Sequence, residues 1–183
     1  MGAAVRAEGR EDHLTIRVAK RDEFAAVGRL TRDAYTLDYP GLSPGYVDEM
    51  GRPELREQDY ELWVAEEPGS GELLATVSVL RPGRDNGGEI RPGELYFRLL
   101  AVAPKARRRG LGARLTLFTL ELARERGLDA VVLHSGPEML PAHALYTALG
   151  FRRAPERERS FLDDSGRELH LLTFVRPLDS PAE

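Results

Sequence analysis

The chain has 183 residues, 42% of them apolar and 31% charged, with 26 basic and 30 acidic side chains and a formal net charge of −4. That is one domain's worth of globular sequence with room for a single sizeable core, and its mild acidity argues against general nucleic-acid binding. Cysteine is absent and the four histidines (His13, His134, His143, His170) lie scattered, so disulfides, a metal centre and a covalent acyl-cysteine are not expected. No apolar run of about 18 residues and no leader-like apolar region calls for a membrane, so the cytoplasm is the expected compartment.

Residues 1–12 are small and charged without periodicity and are expected to be a disordered N-terminus. Residues 179–183 read as a loose tail, which leaves 13–178 as a single domain. Residues 14–18 alternate as a half-buried strand. Asp22 is placed to cap a helix with apolar positions Phe24, Val27, Leu30 or Thr31, and Ala34. Pro40-Gly41 and Ser43-Pro44-Gly45 interrupt the chain, with a short helix expected around 46–50. Residues 61–67 and 73–80 read as strands joined by Pro68-Gly-Ser-Gly71. A glycine-rich loop over 81–93 leads into a strand at 95–103, a helix at 111–126, a strand at 130–134 and a helix at 139–149. Two strands near 152–161 and 168–176 follow, turned by Asp163-Asp-Ser-Gly166. The order β-α-α-β-β-β-α-β-α-β-β predicts an α/β (α+β) fold with a mixed sheet and helices on both faces.

The most informative stretch is Lys105-Ala-Arg-Arg-Arg-Gly-Leu-Gly-Ala-Arg114, ten residues with five positive charges and no negative one. It stands where a strand hands over to a helix whose apolar positions are Leu111, Leu115, Phe118 and Leu122. A helix start offers unpaired N–H groups and the positive end of the peptide dipole, and glycine lets a bulky anion approach that backbone. Such a turn reads as a pyrophosphate cradle. It is not a nucleoside-triphosphate P-loop, because no Lys-Ser or Lys-Thr follows the glycines. It is not a dinucleotide fingerprint either, since Leu115 stands where a third glycine belongs and His134-Ser135 where an acidic residue belongs.

What fits is Arg107-x-x-Gly110-x-Gly112 preceded by Leu-Ala-Val-x-Pro, with Ala144-Leu-Tyr-x-x-Leu-Gly-Phe151 one helix and one strand later. This ordered pair resembles the acyl-CoA signature of the GCN5-related N-acetyltransferases, the GNAT superfamily, and spans roughly a third of the chain. The resemblance implies a mostly antiparallel sheet whose two central parallel strands splay to admit the pantetheine arm; periodicity does not reveal the splay. It implies acetyl-CoA as co-substrate, with no metal. Backbone at Leu100, Ala101 and Val102 would pair with pantetheine, and amides from Arg109 through Gly110, Leu111 and Gly112 to Ala113 would hold the diphosphate. Arg107, Arg108 and Arg114 could reach phosphates, and Ala142 would line the same site. Hydrogen bonds to a charged group contribute about 1.5–3 kcal/mol each, so three or four suffice for micromolar anchoring after binding entropy is subtracted. The family's matching tyrosine, here Tyr146, would protonate the departing thiolate. The sequence places it at the edge of a buried stripe formed by Leu145 and Leu149.

An alkyl ammonium with pKa about 10.4 is neutral in about one molecule in 2,500 at pH 7, an obstacle of roughly 4.6 kcal/mol, so a base is needed. Many relatives carry a glutamate where this chain has Tyr96. Glu94, two residues earlier and on the same strand face, is the candidate base through water, with Tyr96 beside it. Met139 replaces an asparagine that binds pantetheine in many relatives. His134 could be a base or could line the cleft, and the second is the expectation. Tyr35, Tyr39 and Tyr46 suit an acceptor pocket or a satellite core equally, with Glu57, Asp59 and Glu61 at its rim. The expected activity is N-acetylation of a small-molecule or peptide amine by direct attack in a ternary complex, with the oxyanion held near Val102. A GNAT-fold sensor or interaction module without turnover is the alternative, and a purely structural α/β domain a third. A homodimer stays open.

Overall fold

The computed structural model describes residues 14–178; the expected N-terminal disorder and the loose tail lie outside the described residues. The strands are β1 (Thr15–Val18), β2 (Tyr60–Glu66), β3 (Leu73–Leu80), β4 (Glu94–Val102), β5 (Ala130–Ser135), β6 (Arg152–Arg153), β7 (Arg159–Leu162) and β8 (Glu168–Pro177). The α-helices are α1 (Phe24–Asp38), α2 (Pro44–Gly51), α3 (Leu111–Glu125) and α4 (Leu140–Ala148). The strand order is β1-β2-β3-β4-β5-β8-β6, with β7 pairing β8 off that path. Antiparallel pairs include β1–β2, β5–β8, β6–β8 and β7–β8, and β4–β5 is parallel. The expected mixed, mostly antiparallel sheet is the one observed.

The chain divides into two compact units, one made of residues up to Ser78 with Leu99–Leu115, the other of Val79–Arg98 with residues from Thr116 onward. In the first unit the helix start differs from expectation. Asp22 sits inside a 3₁₀ turn, Arg21–Glu23, and does not cap α1. Glu23 instead folds back, accepting the Lys20 amide at 2.7 Å and both terminal nitrogens of Arg17 at 2.7 and 2.8 Å. Arg17 also donates to Glu66 on the neighbouring strand at 2.6 Å, which outweighs the local capping preference of Asp22. The hydrogen bonds from Arg17 hold the Glu23 carboxyl at about 2. Its unfolded value is near 4.3, so its stabilisation is complete above that pH and is lost as pH falls toward 2. Glu23→Gln is therefore expected to lower the thermal midpoint at pH 7 and to converge on the parent protein near pH 2.

α1 buries Val27, Leu30, Thr31 and Ala34, as its spacing predicted, while Phe24, expected on the same stripe, is only half-buried at the helix start. Gly28 lies on the same face, where an added Cβ would stand 2.2 Å from the Gly51 carbonyl oxygen at the end of α2. Only a residue without Cβ lets the two helices meet this closely. Gly28→Ala is expected to cost about 1–3 kcal/mol by overpacking, read as a lower denaturant midpoint. At the same helix end, buried Arg56 donates to the Glu49 and Met50 carbonyls at 3.1 and 3.5 Å, placing a cation at the negative end of the α2 dipole.

In the second unit the last strands depart from expectation. The predicted strand over 152–161 is cut in two by a 3₁₀ turn, Pro155–Arg157. Proline lacks the N–H that a ladder needs, and Ala154 makes the last such bond, to the Thr173 carbonyl at 2.8 Å. Asp163-Asp-Ser-Gly166 turns the chain as predicted, with Asp163 Oδ1 accepting the Ser165 and Arg167 amides, both at 2.9 Å.

Candidate active site

The cradle belongs to the first unit. After a 3₁₀ turn, Pro104–Ala106, Arg107 is extended, and Arg108 and Gly110 both take left-handed conformations, φ 65° and 74°. Left-handed residues set among ordinary ones gather amides into an anion-binding concavity, and Arg108 adopts this without the freedom of glycine. The Gly110 carbonyl accepts the Arg114 amide at 3.0 Å, which makes Gly110 the N-cap. Leu111, Gly112 and Ala113 are then the first three helical residues, whose amides a helix cannot satisfy. Among the described residues, no backbone carbonyl takes the amides of Arg108, Gly110, Leu111 or Ala113.

The basic side chains are arranged otherwise than expected. Arg107 was expected at a phosphate, but it grips both carboxylate oxygens of Asp38 at 2.8 Å and reaches the Ala34 carbonyl at 3.3 Å. Bidentate geometry and a helix-end carbonyl hold it against α1. Arg109 pairs with Glu67 at 3.1 Å and Lys105 with Glu72. Arg108 is exposed and Arg114 half-buried.

Upstream, Leu99 has φ 52° inside β4. A left-handed leucine in a strand is rare and marks a bulge or strain near functional sites. The parallel register with β5 runs only from Glu94↔Ala130 to Phe97↔Leu133, although β4 continues to Val102. Past Leu99, Ala101 is buried while Leu100 and Val102 are half-buried.

Tyr146 belongs to the second unit and is 7% exposed. The expected stripe of Leu145 and Leu149 is corrected: both are half-buried, and the buried face of α4 centres on Tyr146. Gly150, at φ 84°, ends the helix. Its amide donates to the Thr147 carbonyl, and that of Phe151 donates to the Tyr146 carbonyl, both at 3.0 Å. This is the Schellman arrangement, whose accompanying apolar contact is Phe151 on Tyr146, 5.8 Å between rings. Phe97 and Phe174 pack on the same ring at 6.2 and 5.9 Å. His143, one turn before Tyr146, lies 2.9 Å from the Gly136 carbonyl; a carbonyl only accepts, so Nε2 carries the proton and ties α4 to the end of β5. Ala142 is half-buried on the same helix.

Tyr96 and Phe97 are adjacent and so face opposite sides of the sheet. Phe97 meets Tyr146, whereas the Tyr96 ring lies 5.4 Å from His134. The candidate proton donor and proton acceptors thus occupy opposite faces of this unit's sheet. On the Tyr96 face, Arg157 donates to the two Glu94 oxygens at 2.7 and 2.8 Å, and the Arg91 amide donates at 2.9 Å. Burial alone would raise the Glu94 carboxyl, but these donors outweigh it and hold it below the usual range. That makes Glu94 a weak base. His134 contacts Thr173 Oγ1 through Nδ1 at 3.0 Å and Glu89 through Nε2 at 2.8 Å.

Tyr35, Tyr39 and Tyr46 are all half-buried in the first unit, with the first two rings 6.2 Å apart. An open cleft of about 360 Å³ beside α1 and α2 is lined instead by Arg32, Pro44, Val47, Asp48, Gly51 and Arg52. At the expected rim, Glu57 pairs with Arg21 at 3.0 Å and Glu61 accepts from the Trp63 indole at 3.0 Å. Glu89, Arg157 and Thr173 escaped the sequence reading, since none lies in a motif; Pro155 was the one available sign that a turn would interrupt the strand and present Arg157.

Residues 24–151 match the model of the acetyltransferase (GNAT) family. Mycothiol acetyltransferase of Stackebrandtia nassauensis is 44% identical over 145 residues, 76% of this chain and 45% of that protein. The chain spans less than half the length of the curated relatives it matches. The ribosomal-protein-S18-alanine N-acetyltransferase of Escherichia coli superposes with a TM-score of 0.66 at 20% identity, covering 93% of this chain and 97% of that one. A Bacillus subtilis acetyltransferase solved with CoA superposes at 0.60 and 20% identity, covering 90% and 99%. With that match over most of its length and the fold of those structures, the chain belongs to the acetyltransferase (GNAT) family.

Proposed function

We propose that the chain transfers an acetyl group from acetyl-CoA to a primary amine, on a small molecule or at a peptide or protein N-terminus, by direct attack in a ternary complex. The observation that carries this is the start of α3, where Arg108 and Gly110 are left-handed and, among the described residues, no backbone carbonyl takes the amides of Arg108, Gly110, Leu111 or Ala113. An anion such as a diphosphate fits that backbone. Leu100, Ala101 and Val102 would pair with the pantetheine arm, and Ala142 would lie along it. When bound, acetyl-CoA supplies an activated thioester. Tyr146 holds a phenolic proton for the leaving sulfur, a transfer from a group of pKa about 10 to one of about 8.5 made workable by position. Tyr96, with Glu94 behind it, borders the face on which the amine would lose its proton. Tyr35, Tyr39 and Tyr46 are the aromatic groups available to an acceptor, and relatives named for mycothiol and for a ribosomal-protein alanine make both acceptor classes worth assaying. No helix among the described residues is long and apolar enough to cross a membrane, and we place the activity in the cytoplasm.

One observation favours the second reading, a sensor that binds acetyl-CoA without turnover: Glu94 is clamped by Arg157. Two measurements test both. Acetyl-CoA is expected to raise the thermal midpoint, because a ligand adds RT ln(1 + [L]/Kd) to stability, and thiol is expected to be released with at least one member of an amine panel. Stabilisation without thiol release selects the sensor; neither effect removes acetyl-CoA from the account.

A further inference from the structure

A buried polar cluster in the second unit is left unused by the family motifs. Glu89 comes from the loop before β4, His134 from the end of β5, Thr173 from β8, Arg157 from the 3₁₀ turn and Arg159 from β7. The side chains of His134 and Glu89 are 7% and 12% exposed. Glu89 Oε2 lies 2.8 Å from His134 Nε2, and its other oxygen meets Arg159. Arg157 fixes the loop as well, donating to the Glu89 carbonyl at 3.0 Å.

Thr173 Oγ1 lies 3.0 Å from His134 Nδ1 and 3.1 Å from the Arg157 carbonyl. A hydroxyl has one proton to give. With the imidazole neutral, Nε2–H faces Glu89 and the threonine hydroxyl donates to Nδ1. With the imidazole protonated, Nδ1–H donates to Thr173, whose own proton turns to the Arg157 carbonyl. Thr173 Oγ1 stays bonded to Nδ1 in both states without any heavy atom moving, and the Glu89 carboxylate faces Nε2 as a charge.

We propose that His134 is the proton-accepting residue of the acetyl-transfer reaction, with Glu89 and Thr173 as its positioning residues. The inference rests on the proposed activity. The ammonium acceptor gives up one proton, which reaches Nδ1 by way of the Thr173 hydroxyl (Thr173 takes the incoming proton and passes its own to the ring), and becomes the amine whose lone pair forms the new N–C bond. The C–S bond breaks, Tyr146 protonates the sulfur, and both side chains afterwards return to their starting states by exchange with solvent. Glu94 is poorly suited to this task because its partner is a permanent cation: the Arg157 guanidinium on both oxygens favours the carboxylate and opposes taking up a proton, whereas the Thr173 hydroxyl can donate to or accept from the imidazole. A base must also arrive unprotonated, and burial keeps the imidazole below its ordinary value; Glu89 opposes this, while Arg159 and Arg157 reinforce it. The Tyr96 ring lies beside the imidazole, 5.4 Å between centroids.

The test combines kinetics with a ring titration. In His134→Gln, kcat/KM for the acceptor is expected to fall at least 100-fold and the acid limb of its pH profile to disappear, while the Kd for acetyl-CoA stays within twofold. In Glu89→Gln the limb should move to lower pH, because the carboxylate that favours the imidazolium is gone. The His134 ring proton followed by NMR should titrate in the folded protein, with its midpoint lowered by Glu89→Gln; this reading stands even where His134→Gln does not fold. A parent protein that transfers acetyl groups while His134→Gln keeps its rate and acid limb overturns the inference, as does a ring midpoint indifferent to Glu89→Gln. A parent protein that transfers to no amine overturns the activity itself, and this role with it.

Discussion

Gly112→Asp is expected to leave a folded protein that has lost acetyl-CoA. Position 112 is the second residue of α3, where a carboxylate complements the helix dipole, so the helix itself should tolerate the change. The same carboxylate would stand among the amides proposed to hold the diphosphate. Replacing an attractive contact by like-charge repulsion should weaken binding at least 100-fold, about 2.7 kcal/mol. Calorimetric titration with acetyl-CoA measures the loss, and an unchanged thermal midpoint of the free protein shows that the fold survived. Micromolar affinity in this variant would mean that the diphosphate sits elsewhere. Arg107→Ala makes the contrast, since its guanidinium is engaged by Asp38 and the Ala34 carbonyl; a much smaller loss is expected there.

Tyr146→Phe is expected to separate binding from turnover. The ring is held by Phe97, Phe151 and Phe174 and by the helix end at Gly150, and phenylalanine keeps those contacts. The hydroxyl alone is removed. Loss of a positioned acid typically costs 100-fold or more in rate, so kcat should drop by that factor while acetyl-CoA affinity changes little. An equal decline in both would mark Tyr146 as a packing residue. Leaving-group dependence gives a second check, because a thiol of lower pKa needs less help from an acid and should be less affected.

The strand-to-helix turn before α3 was legible because its signal is local. Glycines, a proline stop and a basic run within ten residues specify a strand-to-helix turn, and amides at a helix start need no distant partner to be exposed. The end of α4 was legible for the same reason, since Gly150 sits at the one position where a left-handed residue closes the helix. The side chains around these backbones were not. Arg107 faces α1, and Glu94 is held by an arginine 63 positions away; neither pairing leaves a trace in spacing. The centring of α4 on Tyr146 was likewise decided by what the helix packed against, whereas the break at Pro155 had a local sign in the missing N–H.

The sequence by itself determined the order of elements, the turn that starts α3 and the glycine that ends α4, because backbone conformation follows from neighbours within a few residues. Only the tertiary structure decided which carboxylates are spent on arginines, which tyrosine face meets a histidine, and that Glu89, His134 and Thr173 come together. Charged side chains choose partners by distance in space and by the water they lose on burial, and chain order constrains neither.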